Sequence, residues 1–182
     1  RFFRTTFLQV FNITNTQLGD VFAVYGIVAL LAYFPGGLIA DRFSSRFLMS
    51  ISLILTAIGG IYLYSIPSIT GLYGVFGYFG LTSILLFWAA MIKATRDWGG
   101  SSTQGIAFGL LDGGRGFVAS LAASIALFIL STSMIGENET SLTSKAALQH
   151  VIAFYSFATL FLLSRPYLST FIINPAREIP SS

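Results

Sequence analysis

Four uncharged stretches govern what this chain can fold into: residues 21–40, 47–92, 116–136 and 146–164 contain no Asp, Glu, Lys or Arg. A hydrocarbon layer about 30 Å thick takes about 20 apolar residues of helix, so each stretch can cross one. The stretch 47–92 is long enough to cross twice. An ordinary soluble domain carries charge on roughly a quarter of its residues. Here the share is 9%, beside 54% hydrophobic residues. Lipid offers the backbone no hydrogen bonds, and a helix satisfies its own. The expected fold is therefore all-α, a polytopic transmembrane helix bundle.

Five spans follow, over about 18–40, 47–66, 69–92, 103–130 and 146–173, forming one bundle within 1–173 and leaving a polar tail at 174–182. Asp41-Arg42 closes the first, and Pro67-Ser68 the second, because proline cannot continue a helix ladder. Lys93, Arg96, Asp97 and the stretch Gly99-Gly100-Ser101-Ser102 close the third. The last span is expected to run past Arg165-Pro166. Asp20 falls where a carboxylate would meet the positive end of the first span's dipole, which is enough for a cap. Ahead of it, Phe3, Phe7 and Phe11 recur at helical spacing. They mark either a short amphipathic stretch at the membrane surface or the end of a preceding helix. The start, without Met or a signal-peptide pattern, reads as the interior of a longer protein.

Alternating spans put Arg42, Arg46, Lys93, Arg96 and Arg177 on one side and Arg1, Arg4 and Lys145 on the other. Basic residues accumulate in cytoplasmic loops, so the loops at 41–46 and 93–102 are expected inside. Glu137 and Glu139 beside Lys145 sharpen the contrast. Two Asn-X-Thr sequons, at Asn12 and Asn138, fall on the expected outside. The net charge of +3 belongs to these helix ends, and no basic patch with interleaved aromatics suggests nucleic acid. With no cysteine and one histidine, disulfide frameworks and Cys/His zinc sites have no raw material, and no cofactor is expected.

The fourth span alone carries ionisable residues deep within it, Asp112 and Arg115. Counted from Thr103, Asp112 lies roughly 13 to 15 Å in, near the bilayer midplane. An isolated charge there costs about 3 kcal/mol or more. Spacing of three lets each residue supply the other's counter-charge. One side of the span gathers Gly105, Gly109, Gly113, Gly116, Ala119, Ala122, Ala123 and Ala126 with the two charges, and the other gathers Leu110, Leu111, Phe117, Val118, Leu121, Ile125 and Phe128. Bulky groups suit lipid, whereas small residues admit another helix. Two readings stand side by side: a polar pathway for an ion, proton or anionic solute, and a structural pair joining helices. Gly71, Gly74, Gly77 and Gly80 in the third span suggest close packing along a slowly drifting face. Tyr25, Gly26, Ala29, Tyr33, Gly36, Gly37 and Ala40 form a similar stripe in the first, where Tyr25 and Tyr33 are candidate cavity-lining residues. His150 could carry protons, though a packed or interfacial ring accounts for it better.

The turn GGLIADRFSSRF is similar to the signature loop of the major facilitator superfamily, G-x-x-x-D-R/K-x-G-x-R/K-R/K. Gly37, Asp41, Arg42 and Arg46 match; Ser44 stands at the second Gly and Phe47 at a further basic position. The stretch from Lys93 to Gly116, with its acidic-x-Gly-Arg-Gly segment, resembles sugar and organic-anion permeases of that superfamily. The resemblance implies helices two to six of a twelve-helix transporter, the first helix and the C-terminal half being absent from these residues. It implies a gating role for the 41–46 loop, whose Asp41 would face a helix of the other half. It further implies a multi-pass protein of a cell membrane, taken as a bacterial inner membrane, that moves a sugar or organic anion with a coupling ion, proton or sodium. Lys93, Arg96 and Arg115 prompt the anion. The alternative is a non-transporting structural or regulatory membrane subunit, or a truncated gene product. No enzyme is expected: Ser101 or Ser102 and His150 would lie on opposite sides of the bilayer, beyond reach for a nucleophile and its base.

Overall fold

The computed structural model describes residues 2–134 and 141–164, and the side chains of 4–132 and 144–161. The short helix α1, Phe2–Phe11, leads through Asn12, whose φ of 50° is one that Asn tolerates, into α2, Asn15–Arg42. Thr14 caps α2. Its hydroxyl accepts the Gln17 N–H at 3.2 Å, and Gln17 Oε1 accepts the Thr14 N–H at 2.8 Å, a reciprocal box that satisfies two otherwise unpaired donors. Asp20 lies beyond the first turn, so the cap expected of it belongs to Thr14 instead.

Helix α3 runs over Ser45–Tyr64. Next comes α4, Ile69–Gly99, which is α-helical over Ile69–Gly80, a π-helix over Leu81–Trp88, and α-helical again over Ala89–Gly99. Helices α5, Gln104–Met134, and α6, Ser141–Ser164, follow. Among the described residues, α2, α3, α4 and α5 are each long and apolar enough to cross a membrane. They correspond to the first four expected spans. The third extends past its expected end at 92, because Lys93, Arg96 and Asp97 end contact with lipid without ending a helix. The stop is Gly100, which takes the positive φ of 57° that glycine adopts without a steric cost and donates its N–H to the Arg96 carbonyl. The stretch after it is thus a tight turn. The fifth expected span begins inside α6; its continuation past Ser164, with Arg165-Pro166 and the tail, lies outside the described residues, as do Glu137 and Asn138.

Helix α2 lies along α4, α3 packs on α6 and on the middle of α4, and α5 touches α4 near the Gly99 turn and α6 near its other end. Small residues allow this. A Cβ at Gly80 would stand 2.7 Å from the Tyr25 carbonyl oxygen, and one at Gly36 3.2 Å from the Leu85 carbonyl oxygen. The drift expected of the α4 glycines is visible in their neighbours: Gly77 and Gly80 face α2, whereas Gly71 faces Tyr62 and Pro67. At the Pro67 end the core joins Phe11, Ile13, Leu18, Val21, Leu72, Val75, Leu148 and Ile152. Phe11 therefore packs within the protein, and α1 lies against α6. At the Asp41 end a smaller core holds Ala40, Leu48 and Ala90.

Candidate functional site

Helices α4 and α5 form an antiparallel hairpin about the turn at 100–103, and this fixes which residues share a depth. Trp88 lies eleven residues before Gly99, and Arg115 eleven residues after Gln104. At 1.5 Å per residue both sit about 16 Å from the turn. They meet. The Arg115 guanidinium lies over the Trp88 ring, 5.0 Å from its centroid. Arg115 Nη2 also lies 3.1 Å from Asp112 Oδ1, the ion pair that the spacing of three predicts. The guanidinium thus lies between a carboxylate of its own helix and an aromatic face from a second helix.

Space surrounds this group. A Cβ at Gly105, Gly109, Gly113, Gly114 or Gly116 would meet nothing within 4 Å. The close helix approach that these glycines suggest does not occur among the described residues, and the side chains of Arg115 and Asp112 remain 54% and 66% exposed. Leu110, Phe117, Val118 and Leu121 are also exposed. Exposed Leu and Phe on a span suit acyl chains; an Asp–Arg pair does not, and it needs protein or water beside it.

Next to the pair, the π turn of α4 is held by hydroxyl groups from two helices. Ser52 Oγ, 1% exposed as a residue, donates to the Thr82 carbonyl at 2.8 Å. Thr56 Oγ1 donates to Thr82 Oγ1 at 3.4 Å. Tyr25 Oη lies 3.3 Å from Ser83 Oγ, which in turn donates to the Phe79 carbonyl. Irregular turns of this kind leave backbone groups off the regular ladder, and neighbouring hydroxyls satisfy them. Of the two tyrosines singled out by sequence, Tyr25 is drawn into α4 and half-buried, while Tyr33 is exposed.

At the other candidate region the loop between α2 and α3 is short. The Phe43 N–H donates to the Ile39 carbonyl at 3.1 Å. Ser44, where the signature loop has glycine, is extended at φ −68° and accepts the Phe47 N–H at 3.4 Å as the N-cap of α3. Lys93 Nζ donates to the Ala40 carbonyl at 2.6 Å, so this cation closes the negative end of α2. Gly37, Asp41, Arg42 and Arg96 are exposed, and Arg46 is half-buried. The loop residues and the Asp112–Arg115 pair are therefore two places. A cavity of about 190 Å³ between α3, α4 and α6, lined by Thr56, Gly60, Phe79, Ile152 and Ser156, includes neither of them.

Trp88 and the hydroxyl cluster of Ser52, Thr56, Thr82 and Ser83 escape a reading based on charge. Equal distances from the α4–α5 turn would have paired Trp88 with Arg115, and hydroxyls inside uncharged spans would have marked the cluster.

The family model of the Major Facilitator Superfamily matches residues 2–178. Inner membrane protein YihN of Escherichia coli (strain K12) is 32% identical over 173 residues, 95% of this chain and 38% of that protein. Inner membrane protein YqcE of the same organism is 29% identical, over 76% of this chain and 32% of its own length. Uncharacterized transporter YybO of Bacillus subtilis (strain 168) is 31% identical, over 67% of this chain and 28% of its own length. The chain thus spans about a third of the length of these relatives. No solved structure matches it significantly.

Proposed function

The chain belongs to the major facilitator superfamily, and we propose that it is part of a secondary transporter that moves a sugar or organic anion across a membrane by alternating access. The observation that carries this reading is the Asp112–Arg115 pair, held over Trp88 beside an open glycine-rich face. Arg has five N–H donors in one plane. Asp112 pairs with the group at 3.1 Å, and N–H donors remain that suit a carboxylate, a phosphate or sugar hydroxyls. A proton or sodium ion is the coupling partner in this reading. Asp112 is a candidate for its carboxylate.

Transporters with two repeat-built halves bind solute near the midplane between them. The chain spans only part of its relatives, so the second half of the path is assigned to a C-terminal half outside these residues. In the same reading α2 to α6 are helices two to six. The loop of Gly37, Asp41, Arg42 and Arg46 is a cytoplasmic gate closing against that half, and Arg96 lies on the same face. A relative named as a transporter supports this, as does the excess of basic residues at 41–46 and 93–96.

A structural or regulatory subunit is the second reading, because the pair at 3.1 Å neutralises itself without any solute. Uptake by the full-length protein in proteoliposomes separates the two. Arg115→Gln, expressed and folded at the wild-type level, is expected to lower uptake of glucuronate by about tenfold or more, the cost of one charge-assisted hydrogen bond. Unchanged uptake would leave Arg115 with a packing role.

A further inference from the structure

Arg115 sits among glycines that fix nothing around it. Gly113, Gly114 and Gly116 flank it, and a Cβ at any of them would touch no neighbour within 4 Å. Asp112 holds the guanidinium at 3.1 Å, but from the same helix, so that contact moves with α5 and does not set the group relative to the rest of the bundle. Trp88 does so from α4. We propose that Trp88 is a positioning residue for Arg115, turning its N–H edge toward the transported anion, and that the π turn of α4 places the ring. This rests on reading the Asp112–Arg115 pair as the solute site.

The chemistry is compatible on every side of the group. The five N–H donors of a guanidinium lie at its edges, so a ring contact measured at its central carbon leaves donors for other partners. Asp112 stands 3.1 Å from Nη2, and further N–H donors remain for a carboxylate or phosphate. Holding the group in one plane spares the ordering that a flexible cation undergoes on binding.

The ring's position depends on helix register. A π turn bonds i to i+5 and so accommodates one residue more than an α turn. With a regular α ladder through Leu81–Trp88, the indole would move about 100° around α4, off the guanidinium. Ser52 and Thr56 from α3 and Tyr25 from α2 oppose that change through Thr82 and Ser83.

The test uses the full-length protein in proteoliposomes, with radiolabelled glucuronate, gluconate and inorganic phosphate as probe anions. Trp88→Leu is expected to raise KM about fivefold with Vmax within about twofold, and Trp88→Phe, which keeps an aromatic face, to restore most of the affinity. A merely structural role would lower Vmax and leave KM alone. Tryptophan emission gives a second readout. Arg115→Gln is expected to shift it, and the shift is expected to vanish on a Trp88→Phe background. Equal shifts in both backgrounds would overturn the assignment of Trp88. So would an unchanged KM in Trp88→Leu when Arg115→Gln abolishes uptake. Uptake that survives Arg115→Gln would instead remove the transport reading of the pair, and the emission cycle would still decide whether ring and guanidinium meet. A wild-type protein that moves none of the three anions would remove both the anion and this role for Trp88.

Discussion

Lys93 of α4 donates through Nζ to the Ala40 carbonyl, 2.6 Å away, and so ties one transmembrane helix to the C-terminal end of another. The last turn of a helix leaves carbonyls without N–H partners, and a cation there meets both the unpaired oxygen and the negative end of the dipole. Ala40 is buried, as is Ala90 one turn from Lys93, so the ammonium closes the small core at the Asp41 end. A basic residue that by charge alone points to an anion path is here bonded to the end of a neighbouring helix.

Lys93→Met keeps the length of the side chain and removes the donor. It is expected to destabilise the protein by about 1 kcal/mol, less than a fully buried charged hydrogen bond because the group is only half-buried. Thermal unfolding of the full-length protein in detergent reads this, and KM for a transported anion is expected to stay unchanged. A raised KM at unchanged stability would return Lys93 to the solute path.

Gly80 and Gly74 sit six residues apart in α4 and differ in what surrounds them. At Gly80 a methyl group would stand 2.7 Å from the Tyr25 carbonyl oxygen and 3.3 Å from the Ala29 nitrogen, both backbone atoms that cannot swing aside. Gly80→Ala is expected to force α2 and α4 apart at a cost of about 1–3 kcal/mol. At Gly74 nothing lies within 4 Å. Gly74→Ala is expected to be neutral or to stabilise by up to about 1 kcal/mol, since alanine is the better helix former. Melting temperatures that fall equally in both variants would mean that the close approach at Gly80 has no energetic weight.

Ser52→Ala leaves the Thr82 carbonyl without the donor that reaches it across the α3–α4 interface. The bond is buried, and an unsatisfied carbonyl costs about 1–3 kcal/mol. The expected result is a lower melting temperature together with altered emission from Trp88 at the far end of the π turn. A drop in stability with unchanged emission would separate the Ser52 bond from the placement of the ring.

The helix order is legible in the chain because lipid penalises every charge, so uncharged runs mark spans and charged clusters mark turns. The Asp112–Arg115 contact is legible for the same reason: spacing of three leaves little choice of partner. What lies beyond is set by backbone detail that composition does not encode. Thr14 caps α2 in place of Asp20 because the cap depends on which residue precedes the first helical turn, and only the Thr14–Gln17 box has the right offset. The π turn takes one extra residue in a ladder, which leaves apolar periodicity nearly intact while changing which face Trp88 presents. The glycine face of α5 reads as a packing surface, yet among the described residues nothing lies within 4 Å of a Cβ added at Gly105, Gly109, Gly113, Gly114 or Gly116.

Ser44 gives the sharpest separation between a motif and the geometry that replaces it. In the resembling loop signature the position is glycine, and a glycine is needed where a turn demands positive φ. Here φ is −68° and ψ 137°, an extended pair open to any residue, and the hydroxyl accepts the Phe47 N–H at the start of α3. Restoring the glycine is therefore expected to weaken the loop. Because the bond is long at 3.4 Å, Ser44→Gly is expected to cost only a few tenths of a kcal/mol and Ser44→Ala about 0.5–1 kcal/mol. The order of the three melting temperatures, serine above glycine above alanine, checks this. A glycine variant more stable than the native serine would mean that the loop prefers a left-handed conformation at 44 and that the cap contributes nothing.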